Sequence, residues 1–110
     1  MKHLYFDYNA TTPVHPEVLE AMLPFLQDKY GNPGSSHIRG LEAKRAVALA
    51  REQVARLINA DPEQIVFTSC ATEANNLALF GFFDWYPQGM LAVSSVEHPA
   101  VLEPAQVLEE

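Results

Sequence analysis

Apolar and polar positions along the chain fall into blocks with two different periods. Residues 65–67 (Ile65, Val66, Phe67) are a short apolar run of strand formers, and residues 90–95 (MLAVSS) are a second. Between them the period becomes helical. Leu77 and Phe80 fall three apart, and Ala74, Ala78 and Leu79 fill the rest of one face. This order predicts strand, tight turn, helix, strand, which is a right-handed βαβ unit. The clearest helix is predicted over residues 41–60. Ala43, Ala46, Val47, Ala50, Val54, Leu57 and Ile58 recur at three and four, with Glu42, Lys44, Arg45, Arg51, Glu52 and Arg56 on the other side. An earlier helix opens near Pro16, carries Glu17 and Glu20 at its positive end, and shows a stripe of Val18, Leu19, Met22, Phe25 and Leu26. Pro24 should kink that helix or mark a turn, and Lys29 and Gly31 end it. Residues 3–8 (HLYFDY) have strand character, and Pro99 opens a last helix as its first residue.

The breaks in this pattern carry the polar chemistry. Asn9, Ala10, Thr11 and Thr12 lead into Pro13, a small hydroxyl-rich loop that serves as a helix lead-in or as a polar lip over a pocket. Residues 31–40 (GNPGSSHIRG) hold no apolar period, and a loop of that length between helices is often functional. Its His37 either contacts a ligand or is simply solvated. Residues 85–89 (WYPQG) read as a turn.

Composition narrows the class. A chain of 110 residues is one domain at most and long enough for a core. A net charge of −7, with only seven Lys and Arg, leaves no dense basic face for nucleic acid. No apolar run reaches the length of a membrane span, and the N-terminus is too polar for a signal peptide. Cys70 is the single cysteine, so no internal disulfide can form, and the chain reads as soluble and intracellular. Glu109 and Glu110 fall inside a helical pattern with no stop signal, as expected of a fragment.

The junction after Phe67 is the feature around which the rest is organised. A strand running straight into a helix aims the first free N–H groups, and the positive dipole end, at whatever lies beyond the strand. Thr72 sits where its hydroxyl either caps the helix, with nothing bound, or joins those N–H groups around an anion. The turn lacks the glycines of a dinucleotide fingerprint or a P-loop, so a single phosphate monoester suits it better than a pyrophosphate. His98 closes the second strand, held out of the helical region by Pro99. In open α/β sheets ligands bind beyond the carboxyl ends of the strands, where both Thr72 and His98 fall.

Taken together, several stretches resemble the N-terminal part of cysteine desulfurases of the NifS/IscS kind, in the class-V aminotransferase group of pyridoxal-phosphate enzymes. They are Asp7 to Thr12 (DYNATT), Gly31-Asn32-Pro33 with Ser35-Ser36-His37, Ile65 to Ser69 with Ala71-Thr72-Glu73 and Asn75-Asn76, and Glu97-His98. They stand in the family's order and at its approximate spacing, from end to end of the chain. The resemblance implies an α/β fold: the N-terminal fragment of a fold-type-I, aspartate-aminotransferase-like large domain. Residues 1–13 would be an N-terminal arm and residues 14–110 the first part of the large pyridoxal-phosphate-binding domain. It implies that Ala71 and Thr72 hold the cofactor phosphate, and that His98 stacks on the pyridine ring and moves protons. Asn9, Ala10, Thr11, Asn32 and His37 would lie on substrate-side loops at the mouth of the site. The activity implied is removal of sulfur from L-cysteine, leaving L-alanine and a persulfide. A cytoplasmic homodimer would pass that sulfur to acceptor or iron–sulfur scaffold proteins.

The chain departs from the family in three places. Ala71 stands where a glycine is often found, and Gly34 separates Pro33 from the serines. The family's cofactor-bearing lysine, its aspartate at the pyridine nitrogen and its persulfide cysteine all come later than residue 110. Lys2, Lys29 and Lys44 do not stand in that lysine's context, and Cys70 reads as a small turn thiol rather than the nucleophile. The piece alone is therefore expected to be inactive. Competing accounts are another class-V aminotransferase-like enzyme, a non-catalytic anion-binding or assembly module, and a metal site on Cys70, His98 and His37. The last matches no common zinc spacing.

In the family's sheet the first two large-domain strands are not neighbours, so residues 65–67 and 90–95 would lack partners here and leave apolar edges open. Self-association, pairing with a complementary chain or a rearranged sheet is expected. Sedimentation velocity checks this: a well-folded, strictly monomeric species with native strand pairing contradicts it.

Overall fold

The computed structural model describes residues 3–109. Met1, Lys2 and Glu110, which belong to the expected arm and C-terminal end, lie outside the described residues. The elements are α1 (Pro16–Gln27), α2 (Ile38–Ile58), a single 3-10 turn (Pro62–Gln64), α3 (Ala71–Trp85) and α4 (Pro99–Glu109). They form two compact units, one ending at Ile65 and the other beginning at Val66.

In the first unit α1 begins on Pro16, whose missing N–H is one no helical acceptor could have used. Pro24 lies inside the helix, and the helix runs only three residues beyond it. The Asp28 and Lys29 N–H groups both donate to the Pro24 carbonyl, at 3.0 and 2.7 Å. No residue of α1 is buried. Its apolar stripe, with Val18, Met22 and Phe25, faces Ala50 and Gln53 of α2 across an open hollow.

Helix α2 begins three residues earlier than the apolar period predicts. The His37 side chain caps it, with Nδ1 accepting from the Gly40 N–H at 3.2 Å. Gly40 therefore lies in the first turn of the helix rather than at the end of a loop. The segment before it is closed on itself. Asn32 Oδ1 accepts from Gly34 N–H at 2.8 Å, and the Asn32 carbonyl accepts from Ser35 N–H at 3.0 Å. Arg39 donates to the Asp28 carbonyl at 2.6 Å and lies over the Tyr30 ring at 4.8 Å. At its far end α2 stops at Ile58, within two residues of the predicted limit, with Asn59 as its cap in the left-handed region (φ 55°). Gln64 then closes the 3-10 turn by accepting from Asp61 N–H at 2.8 Å. Ile65 follows in extended backbone, buried, with its carbonyl accepting from the Arg51 guanidinium. The buried apolar set of this unit is small: Ala43, Ala55 and Ile65.

The second unit is built on α3 packed against α4, with Ala100 and Pro104 of α4 buried. Pro104 removes an N–H from the helix interior without ending it. After α3 the chain turns through residues 86–89, the Gly89 N–H donating to the Tyr86 carbonyl at 2.8 Å. The Phe82 ring sits between Phe83 and Tyr86.

The strands expected at residues 3–8, 65–67 and 90–95 do not form ladders, and no β-strand occurs among the described residues. An extended segment becomes a strand only when its N–H and C=O groups meet those of a neighbouring segment. None of the described residues supplies that neighbour. The apolar side chains show the same vacancy of packing: Val66 is 64% and Met90 91% exposed.

Two glycines test the closed segment before α2. A Cβ at Gly40 runs into the Ser35 carbonyl oxygen and lies 2.8 Å from that of Asn32, whereas one at Gly81, in mid-α3, meets nothing within 4 Å. Gly40→Ala should lower stability by about 1–3 kcal/mol, and Gly81→Ala should raise it by ~0.5–1 kcal/mol. Urea unfolding reads both, and equal signs contradict the packing described.

Candidate functional site

The start of α3 is earlier than a Thr72 cap would place it. Cys70 is the N-cap, in extended backbone (φ −165°, ψ 173°), Ala71 is the first helical residue and Thr72 the second. Thr72 is thus not the cap. The first helical bond runs from Ala74 N–H to the Cys70 carbonyl at 3.2 Å. The amides of Ala71, Thr72 and Glu73 therefore lie ahead of any helical acceptor, which is the arrangement that holds anions at helix starts.

Two side chains organise this turn. Glu73 reaches back so that one carboxylate oxygen accepts from both the Ser69 N–H and the Ser69 hydroxyl, each at 2.6 Å. These bonds hold its carboxyl below the usual range, the hydroxyl contributing more than the amide. Because the folded value is depressed, the stabilisation is present above the unfolded carboxyl range and is lost as pH falls through the folded value. Cys70 is exposed, and its thiol is held below the ordinary range chiefly by the Glu73 N–H, then by the Ser69 hydroxyl, with smaller pulls from the Thr72 amide and hydroxyl. No cap hydrogen bond of standard geometry forms to the sulfur, so this is an electrostatic pull. The same donors that would face a phosphate already favour negative charge on a neighbouring atom. That is the fit expected of a site for a phosphate monoester.

His98 caps α4. Its Nδ1 accepts from the Ala100 N–H at 3.0 Å, and its carbonyl accepts from Val101 and Leu102 at 2.8 and 3.2 Å. Thr72 and Ala100 line one hollow of about 230 Å³ with Asn76 and Phe80 of α3 and Glu103 and Val107 of α4. The hollow thus runs along the seam between α3 and α4, with Thr72 from the first turn of α3 and Ala100 from that of α4 on its wall. Asn76 also donates to the Thr72 carbonyl at 2.8 Å.

The remaining candidates belong to the first unit. Ala10 and Thr11 donate to the Asp7 carbonyl at 3.1 and 3.4 Å, so Asn9, Ala10 and Thr11 lie in and just after a turn. Asn32 and His37 come together in the closed segment ahead of α2, each spending one side-chain acceptor on the local backbone. Sequence pattern alone does not mark Glu73 as the organiser of the turn, since its four-residue spacing from Ser69 is not that of a capping box.

Comparison with known proteins agrees along the whole chain. Residues 4–110 match the family described as aminotransferase class-V. The chain is 51% identical over 112 residues to the mitosomal cysteine desulfurase of Trachipleistophora hominis, covering 97% of this chain and 25% of that protein. It is 48% identical over 110 residues to the cysteine desulfurase IscS of Methylobacillus flagellatus, covering 96% of this chain and 27% of that one. A solved structure of a NifS-like protein superposes with a TM-score of 0.88 at 42% identity, over 98% of this chain and 30% of its own. The chain thus spans about a quarter of the length of the curated relatives it matches. Its fold is the one expected from the sequence, the opening part of a fold-type-I α/β large domain.

The donor set at α3 makes a direct prediction. The rate of Cys70 alkylation by iodoacetamide, followed against pH, should show a midpoint below that of a free cysteine thiol. Glu73→Gln leaves the Glu73 N–H in place and should preserve most of that depression. A wild-type midpoint at or above the free-thiol value contradicts the geometry.

Proposed function

Since the chain belongs to the class-V aminotransferase family, we propose that it is the opening portion of a pyridoxal-phosphate-dependent cysteine desulfurase. Such an enzyme converts L-cysteine to L-alanine and passes the sulfur on as an enzyme-bound persulfide. In this reading residues 1–13 form an arm and residues 14–110 begin the large cofactor-binding domain. The observation that carries it is the row of amides at Ala71, Thr72 and Glu73 that no helical carbonyl reaches. It stands in a chain about half identical, from end to end, to proteins named cysteine desulfurases.

Each residue then has a physical task. Ala71 and Thr72 hold the phosphate through their amides and the Thr72 hydroxyl. The dipole of α3 adds roughly 0.3–1 kcal/mol, and up to ~2 when partly buried. His98 presents a flat ring to cover the pyridine and an imidazole nitrogen to hold or move a proton. By the same reading Asn9, Ala10, Thr11, Asn32 and His37 are the substrate-side loop residues. Pyridoxal phosphate, when bound, supplies the electron sink that makes bonds around the amino acid's α-carbon labile. The lysine that would carry it lies outside these 110 residues, so this segment by itself is expected to be inactive.

The wider reading is a homodimer in the cytoplasm that hands sulfur to acceptor or iron–sulfur scaffold proteins. Among the described residues no helix is long and apolar enough to cross a membrane.

The test uses a polypeptide of the relatives' length that carries this segment. It should release alanine from L-cysteine, and a cofactor-loaded protein that releases none contradicts the reading. Thr72→Val should weaken pyridoxal-phosphate binding by about 10- to 100-fold, the loss expected for hydrogen bonds to a charged group. Binding of pyridoxal, which has no phosphate, should change little. Equal losses for both, read by cofactor absorbance, would remove Thr72 from the phosphate site.

A further inference from the structure

His98 is a helix cap as well as a candidate proton carrier, and the cap decides which nitrogen holds the proton of the neutral ring. Nδ1 accepts the Ala100 N–H at 3.0 Å. A backbone amide can only donate, so Nδ1 must be unprotonated and the proton of the neutral ring must sit on Nε2. The residue between them makes this assignment specific. Pro99 is the first residue of α4 and has no N–H, so Ala100 offers the first donor that the His98 ring can reach. Pro99 also keeps His98 out of the helical region, from which its side chain turns back over the first turn. Ala100 is buried, which shields the bond from competing water. The second proton of an imidazolium would point at the Ala100 N–H, donor against donor.

We propose that Pro99 and the Ala100 amide act as a tautomer lock on His98, holding Nδ1 as a fixed acceptor so that the neutral ring carries its one proton on Nε2 and presents it outward as a hydrogen-bond donor. Its catalytic meaning rests on the function proposed above, but the lock is a property of this chain alone. Pro99 is a positioning residue in this account. It touches no reacting atom and acts by withholding a donor. The first turn of α4 also becomes coupled to the protonation of His98. Each time Nδ1 gains a proton the cap must open, and each time it loses one the cap re-forms. His37 repeats the arrangement at α2, where Nδ1 accepts from Gly40 N–H at 3.2 Å. There no proline withholds the intervening donors.

The experiment needs no cofactor. Two-bond 1H–15N spectra of the 15N-labelled 110-residue chain at alkaline pH read each histidine's tautomer. His98 should show an unprotonated, hydrogen-bonded Nδ1 and a protonated Nε2. The Ala100 amide should exchange with solvent about tenfold more slowly than in His98→Leu. His98→Asn, which restores a cap oxygen without Nε2, should recover that protection. Pro99→Ala should shift the His98 ring signals toward those of a free imidazole. A protonated Nδ1, or an Ala100 amide that exchanges as fast in the wild type as in His98→Leu, overturns the lock. Either result leaves the phosphate reading at Thr72 standing. Failure of pyridoxal phosphate to bind would remove that reading without touching the lock.

Discussion

Amide groups at helix starts, where no carbonyl of the helix can reach them, are the constraint that shapes this chain. Two helix starts meet it with an uncommon partner, the His37 imidazole at α2 and that of His98 at α4, while at α3 the N-cap residue Cys70 makes no side-chain cap hydrogen bond. Serine, threonine, asparagine and aspartate are the usual caps because a short oxygen reaches back at little cost. The α3 start goes furthest. Its Glu73 carboxylate serves Ser69, outside the helix, and leaves the first three amides without a helical acceptor.

A second constraint is the shortage of partners for extended backbone. The chain has the opening fold of a much longer α/β protein, and its apolar segments at residues 65–67 and 90–95 find no ladder among the described residues. What holds each unit together is correspondingly modest. In the first it is a few small buried residues and the closed segment from Asp28 to Gly40. In the second it is the seam between α3 and α4. Gly31 and Gly40 lie flat against Arg39 and Ser35 because no side chain fits there. The geometry around His37 therefore depends on backbone contact, not on a large core.

Much of this could be read before the structure. Helix α2 announced itself through Ala43, Ala46, Ala50 and Val54, and it ends within two residues of the predicted limit. Pro99 opened α4 as its first residue. The family, and with it the fold class, was legible because its motifs are loop sequences with fixed order, which survive even in a quarter of the chain. What escaped notice was of two kinds. The true start of α2 was hidden by Gly40, whose lack of a side chain signals a loop but here permits close approach of the Ser35 backbone. The capping tasks of His37, His98 and Glu73 were hidden because they depend on which side-chain atom meets which amide, and period and composition do not carry that. Side-chain type alone predicts the strands, but a strand is a property of two segments, and among the described residues the second is missing.

The central claim is that the amides opening α3 hold a phosphate. Crystals of a polypeptide of the relatives' length carrying this segment, grown with pyridoxal 5′-phosphate, would test it most directly. The account predicts a phosphate oxygen within about 3 Å of the Thr72 amide nitrogen, with the Cys70 sulfur displaced from those donors. A cofactor bound with its phosphate elsewhere, while Cys70 still faces the Glu73 and Thr72 amides, would contradict it.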